Sequence, residues 1–305
     1  MDEIQKRLIE EVADLHEVPE GAYSFRVDGT PALKNSTANI DITAKEDGTG
    51  ITVTVKPGTK HESVHIPVVL SLSGIKETVY NDFYIGDDAD VVIVAGCGIH
   101  NCGNQDSEHD GIHRFFLGKN AHVSYVEKHY GEGDGLGKRI LNPVTEATLQ
   151  EGASMEMEMV QIKGVDSTAR KSLVTLDRGA SLTVHERLMT HGEQYALSEY
   201  EVDLNGEGSS ANVVSRSVAK DSSRQTFVSK LYGNAPCSGH SECDAIIMDD
   251  AKINAVPEVA ANVTDAALIH EAAIGKIAGE QIVKLMSLGL SESEAEEEIV
   301  NGFLK

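Results

Sequence analysis

The side chains best suited to chemistry in this sequence fall in two short stretches and one dipeptide. Cys97-Gly-Ile-His100-Asn-Cys102 places two thiols and an imidazole within six residues, and Cys237-Ser-Gly-His240-Ser-Glu-Cys243 repeats the theme within seven. His270-Glu271 sets an imidazole beside a carboxylate. Thiolate, imidazole and carboxylate are the ligands that hold zinc, iron or an iron–sulfur cluster. The two stretches contain all four cysteines of the chain, which chance packing of small apolar thiols explains poorly. Asp106, His109, Asp110 and His113 follow the first stretch. A closed zinc site of two Cys and two His could be drawn from Cys97, His100, Cys102 and these neighbours, with iron as the other metal such a set could take, although the spacing is that of no known finger. Cys243-Asp244 leads directly into Ala-Ile-Ile-Met, so its thiol is expected at a strand start. Cys237 follows Pro236 in a turn-rich loop and is less constrained.

Composition narrows what such groups can serve. Lys plus Arg number 26 against 49 Asp plus Glu in 305 residues, a net charge of −23. That surface repels nucleic acid and anionic membranes. No apolar run approaches the roughly 20 residues of a membrane span, and MDEIQKRLIEEV lacks the basic start and apolar run of a secretory signal. The expectation is a cytoplasmic protein whose cysteines are free thiols or metal ligands rather than disulfides.

The elements that must position these groups show two periods. Ile4, Leu8, Ile9, Val12 and Leu15 recur at helical spacing in residues 2–15. From Ile40 the period becomes two, and a unit of Gly or Asp turn, alanine and alternating strand recurs in DDADVVIVA, GKNAHVSYV, EGASMEMEMV, RGASLTVHE and GSSANVVSR. Its alanines, Ala89, Ala121, Ala153, Ala180 and Ala211, are spaced about 30 residues apart, a solenoid period. With no helical pattern between the strands, the units stack as a β-solenoid in preference to a β-sandwich. Residues 276–305 return to helical spacing, broken at Gly289, with a capping box at Ser291–Glu294. This divides the chain into an N-terminal segment (1–39), a β-solenoid core (40–272) and a helical cap (273–305). Cys243 and His270 lie 27 positions apart. At one coil per repeat, thiolate and imidazole are expected to meet at one edge, open to the exterior.

Two other motifs take plainer readings. Gly131-Glu-Gly-Asp-Gly-Leu-Gly-Lys138-Arg139 lacks the Gly and the Ser/Thr positions of a Walker A loop, so it is a turn between coils. Met155, Met157 and Met159 alternate with Glu156 and Glu158, which fits a strand with one buried face without invoking copper.

The order CDAIIMDD, a proline, IHEAAIGKIAGEQ and a helical pair ending in IVNGF resembles the C-terminal end of the SufB/SufD family, and the similarity extends over roughly residues 40–305. The resemblance implies a right-handed parallel β-helix with helical segments at both ends. It implies a scaffold without catalysis of its own, on which an iron–sulfur cluster is held transiently. It also implies a SufC-like ABC ATPase bound through the C-terminal helices, and self-pairing or pairing with a SufB/SufD-like paralogue through the β-helix. The family's essential cysteine matches Cys243, and its functional histidine and following glutamate match His270 and Glu271. Departures are Ile269, where a glutamate precedes that histidine in SufB, and Leu268, where many SufD proteins carry cysteine. The chain looks like a compact SufB-like form, and CGIHNC and GEGDGLGKRILNP read as features of that compact branch, to which the resemblance carries over no role. Two other function classes compete: a structural zinc protein using Cys97–Cys102, and a carbohydrate-active β-helix enzyme. Aromatic residues at 5% and no Trp argue against a sugar groove.

Overall fold

The computed structural model describes residues 1–305, with strands making up most of the chain between its helical ends. Helix α1 (Glu3–Ala13) precedes two antiparallel pairs, β1 (Ala22–Val27) with β2 (Thr30–Asn35) and β3 (Ile40–Ala44) with β4 (Gly50–Val55). The chain then winds between two stacked-strand sheets. One contains β5 (Lys60–Leu70), β7 (Asp90–His100), β9 (His122–Glu132), β12 (Ser154–Lys163), β14 (Ser181–Thr190), β16 (Ser210–Ala219), β18 (Cys237–Ile247) and β20 (Ala266–Gly275). The other contains β6 (Lys76–Ile85), β8 (Ser107–Leu117), the interrupted pair β10 (Arg139–Leu141) and β11 (Val144–Leu149), β13 (Ser167–Leu176), β15 (Tyr195–Leu204), β17 (Arg224–Gly233) and β19 (Lys252–Ala261). Every neighbour pair from β5 and β6 onward is parallel, so the core is a β-solenoid. Helices α2 (Gly279–Ser287) and α3 (Glu292–Phe303) end the chain. None of the helices is long and apolar enough to cross a membrane.

The repeat signature has a backbone cause. Asp88, Asn120, Gly152 and Gly179 adopt positive φ, a conformation that Gly takes freely and Asp and Asn tolerate. Each precedes a fully buried alanine: Ala89, Ala121, Ala153 or Ala180. Each alanine N–H closes a tight turn onto the carbonyl three residues back, as Ala153 does on Gln150 at 2.9 Å. In the next coil Gly208 has the positive φ and Ser209, not Ala211, fills the small buried position. Ala211 instead pairs with Leu182 inside the coil.

Alternation then sorts the side chains. Val91, Ile93 and Ala95 point inward, as do Met155, Met157 and Met159, into one core cluster of 38 residues. Within it Phe83 and Phe115 stack with ring centroids 4.4 Å apart, and Tyr125 meets Phe115 edge-on at 4.9 Å. Outside the first sheet, Leu8 and Ile9 of α1 pack with Phe25 and Val69, so the amphipathic helix docks on its own domain. Gly96 permits the close approach, because a Cβ there would lie 2.2 Å from the Val12 carbonyl oxygen.

The C-terminal helices do not cover the end of the solenoid. Gly289 breaks them at a φ of 103°, and Ser291 caps α3 through a reciprocal contact with Glu294. The apolar stripe of α3 then packs sideways, with Val300 and Leu304 against Val218 and beside Met189 and Ile246. The last coil is left uncovered, with inward-facing Val259 and Ile274 42% and 38% exposed.

Candidate functional site

Three candidate ligands lie on the inner side of the final coils. In β18 the inward positions are Cys237, Gly239, Ser241, Cys243 and Ala245. The strand pairs with β20 so that Ser241 faces His270 and Cys243 faces Ala272. Equivalent positions are thus 29 residues apart here, and the imidazole stacks on Ser241 rather than on the thiol. Cys243 and His270 share a face and sit diagonally, about 8 Å apart between backbone positions from strand spacing and rise. Cys237 is on the same face but six residues earlier, about 20 Å along the strand.

The thiol is inside the coil rather than at an edge. Cys243 is 0% exposed, and burial, with the charges of Glu186 and Asp244, pushes it up to about 12. Burial of Cys237 raises its thiol too. His270 Nδ1 meets Ser241 Oγ at 3.3 Å, and burial followed by the neighbouring His240 lowers its pKa. A neutral imidazole is the form that binds metal.

Glu271 follows His270 by one residue and therefore points to the opposite face. It is exposed beside His240, with Oε1 3.8 Å from the imidazole Nε2, and its register partner is Glu242. His240 Nδ1 also contacts Asn212 Oδ1 at 2.9 Å. The second stretch and the dipeptide thus divide into an inner group, Cys237, Cys243 and His270, and an outer pair, His240 and Glu271.

The first stretch divides in the same way. Cys97 is buried and inward, registered with His129 of β9, and burial pushes its thiol well up. His100 lies three positions on and faces outward, where Cys102 Sγ is 3.0 Å from its Nε2. His109 and His113 are buried in β8, His109 against Glu77 at 3.1 Å and His113 against the Tyr125 hydroxyl at 2.7 Å. The closed two-Cys, two-His site is therefore not assembled, because strand alternation sends its members to opposite faces. No three His, Cys, Asp or Glu side chains converge at metal-binding geometry in the structure.

Inside the coils, a row of polar groups leads from the middle of the solenoid to Cys243. Glu127, Met159, Glu186, Ser215 and Cys243 are register neighbours in successive strands. Arg170 donates from Nη1 to Glu127 Oε2 at 2.8 Å, and its Nε lies 3.7 Å from Glu186 Oε1. His129 Nε2 is 2.8 Å from Glu127 Oε1. Glu186 accepts from Ser198, Tyr200 and Ser215 at 2.6, 3.0 and 2.7 Å. Burial alone would raise the Glu127 carboxyl, but Arg170 and then His129 outweigh it and hold it far below the usual carboxylate range. None of these residues stood out as a site in the motif reading. The available signal was parity, since Glu127 and His129 share the inward positions of Val123 and Tyr125.

The sequence pattern described as SUF system FeS cluster assembly, SufBD core domain, matches residues 80–303. The chain belongs to the SufBD family. Its relatives include iron–sulfur cluster assembly SufBD family proteins of archaea. One from Methanocaldococcus jannaschii is 28% identical over 83% of this chain and 79% of its own length. One from Archaeoglobus fulgidus is 29% identical over 85% and 69%. A third, from Methanothermobacter thermautotrophicus, is 31% identical over 75% of this chain, which spans only 56% of that protein. The SufBD core match takes in both groups at the C-terminal coil and the interior polar row, and it supports a role in iron–sulfur cluster assembly.

Proposed function

We propose that this SufBD chain is a scaffold that transiently holds a nascent iron–sulfur cluster as cargo at the uncovered end of its solenoid, with Cys243 and His270 as ligands. The observation that carries this reading is their placement on one inner face of adjacent strands, β18 and β20, at the end of the solenoid where β20 has no further strand stacked on it. Cys243 is protonated at rest, so iron must displace its proton, and binding is favoured as pH rises. The last coil has a stacking neighbour on one side only, so it opens more cheaply than any other. Glu271, with His240, offers a carboxylate–imidazole pair on the outer side of the same end, placed to take iron arriving from solvent.

Three exposed or half-exposed apolar side chains at that end, Val256, Val259 and Ile274, sit beside unpaired backbone on β19 and β20. Such an edge pairs readily with another chain. A second copy, or a SufB/SufD-like paralogue, docking there covers the edge and adds ligands, because an isologous contact presents each residue twice. The ATPase partner would dock on α2, α3 and the turn between them, where Val283 of α2 and Leu288 of the turn are 65% and 75% exposed. Reversing the exposed charges Glu292, Glu297 and Glu298 is expected to weaken capture of a co-expressed ABC-type ATPase without disturbing the coils.

The deciding experiment is anaerobic reconstitution with ferrous iron and sulfide, read by visible absorption and by bound iron and sulfide. Cys243→Ala is expected to lose the cluster with the circular dichroism of the coils unchanged. A variant that keeps wild-type iron and sulfide makes Cys243 structural and removes the basis of this assignment.

A further inference from the structure

Cys102, His100 and Glu132 form a hydrogen-bonded series on the outer side of the solenoid, several coils away from Cys243. Cys102 Sγ is 3.0 Å from His100 Nε2, and His100 Nδ1 is 2.9 Å from Glu132 Oε1. Glu132 also accepts from Arg7 of α1 and, at 3.2 Å, from the Tyr130 hydroxyl. Burial alone would raise this carboxyl, but the hydrogen bonds from Arg7 and His100 outweigh it and hold it below the usual range. An ionised carboxylate only accepts hydrogen bonds, so His100 must carry its proton on Nδ1. That leaves the Nε2 lone pair facing Cys102, and the S–H proton points at a base.

The turn holding this thiol is tied down by hydrogen bonds and close packing. Asn101, fully buried, donates from Nδ2 to Gln105 O at 2.8 Å and to Lys138 O at 3.3 Å, and accepts from Gly103 N at 3.0 Å. Gly135 lies directly on it, since a Cβ there would come within 2.4 Å of Gly103 O. Cys102 is nevertheless exposed, and the other three cysteines are buried. Nucleophile, base and a third group orienting the base, in hydrogen-bond reach on a fixed turn, is the arrangement of an activated thiol.

We propose that Cys102 is a nucleophilic thiol, with His100 as its base and Glu132 as the group that orients the base, and that its substrates are sulfur–sulfur electrophiles. Acyl transfer is disfavoured because it needs free N–H donors for an oxyanion. Here the N–H groups of Asn101, Gly103 and Gly135 already donate to Glu132 O, Asn101 Oδ1 and Asn101 O, so the N–H of Cys102 itself lacks these three as co-donors. Thiol exchange needs no such hole. The Cys102 proton passes to His100 Nε2, and the thiolate attacks one sulfur of R–S–S–R′. A Cys102–S–S–R bond forms as the original bond breaks. Its electron pair leaves on R′–S⁻, which takes the proton from Nε2. Cys102 is oxidised and the incoming bond reduced. A persulfide donor, R–S–SH, gives Cys102–S–SH and R–S⁻ by the same step.

The test mixes the reduced full chain with a neutral dipyridyl disulfide in one arm and cysteine persulfide in the other. The first is followed by release of the thiopyridone chromophore, the second by gain of one sulfur atom in protein mass. Cys102→Ser is expected to abolish the fast reaction, and His100→Asn to slow it about tenfold or more. Glu132→Asp, which keeps the carboxylate but shortens its reach, falls between wild type and Glu132→Gln. Circular dichroism and the rate for each unfolded variant separate loss of activation from loss of fold. Fast reaction in either arm that depends on His100 supports the proposal and identifies the donor. A wild-type rate no greater than that of the unfolded chain, or one unchanged in folded His100→Asn, overturns it.

Discussion

Arg170→Met strands buried charge in the middle of the solenoid, and its cost follows from the geometry. Arg170 is 4% exposed and lies between Glu127 and Glu186, 1% and 4% exposed by side chain. Methionine fills much of the same volume but leaves Glu127 with only the imidazole of His129, while Glu186 keeps its three hydroxyl donors. Breaking a buried ion pair by removing one partner costs about 3–5 kcal/mol. Two carboxylates depend on this one guanidinium, so the upper half of that range is expected. With an unfolding entropy of about 2.1 cal/mol/K per residue over 305 residues, this lowers the melting midpoint by about 6–8 °C if the chain unfolds as one unit. Stacked coils often unfold in blocks, so hydrogen exchange across β9, β12 and β14 is the sharper assay. The second arm is Arg170→Met with Glu127→Gln. Removing the stranded charge restores part of the stability, and the double variant is expected to be more stable than Arg170→Met alone. A loss under about 1 kcal/mol for the single variant, or simple additivity in the double, would refute the view that this interior is held by one cation shared between two acids.

Three further outcomes follow from particular contacts. Burial lowers His113 to about 4 against an ordinary 6.5. Its neutral form therefore contributes stability that is fully present above pH 6.5, falls by about 1.4 kcal/mol per pH unit as pH drops toward 4, and levels off at about 3 kcal/mol lost. His113→Gln should lack this part of the acid slope, and parallel curves for variant and wild type would contradict the assignment. Gly96→Ala drives a methyl against the Val12 carbonyl, so proteolysis of residues 1–20 should accelerate while the coils keep their melting temperature. Gly275→Ala, which meets nothing within 4 Å, serves as the control. Under native conditions alkylation should label Cys102 first, then Cys243 and Cys237 in the end coil, and Cys97 last; labelling of Cys97 ahead of Cys243 would mean that the middle coils open before the end.

Much of this architecture is visible in residue parity. The inward methionines, the buried alanines and the amphipathic first helix follow directly from periods of two and 3.6. Parity also separates the candidate ligands: Cys97 and His100 are an odd number of positions apart, as are His270 and Glu271, so each pair straddles its strand. Cys237 and Cys243, six apart, do not. Coil length was harder to read. Stacking offsets run from 32 residues, as Asp90 to His122, through 27, as Ser154 to Ser181, to 29 at the end. Turns lengthen without changing the strands, so a mean period cannot fix which residue lies over Cys243. The interior acids were hidden for a different reason. Charged residues in an alternating strand normally mark the solvent face, and their burial depends on partners from elsewhere in the fold: Arg170 from the opposite sheet, His129, and the hydroxyls of Ser198, Tyr200 and Ser215.

The position of Cys243 resolves a conflict between protecting a thiol and using it. In a stacked solenoid each coil is held by its neighbours, so opening a middle coil breaks two interfaces and opening the last breaks one. Cys97 lies in the middle, next to the Glu127–Arg170–His129 cluster, and its exposure would cost the buried ion pair as well. Cys243 lies in β18, with β16 on one side and only β20 on the other. Displacing that single strand, whose outer positions are already in solvent and whose inner positions are only partly covered, uncovers the thiol while the hydroxyl donors to Glu186 stay in place. His270 moves with the same strand, so the motion that frees the thiol also carries the imidazole. On the scaffold reading proposed above, a thiol that is neutral and shielded at rest, one strand from solvent, with its proposed co-ligand on the strand that shields it, would take up iron and sulfide only when the end coil is engaged.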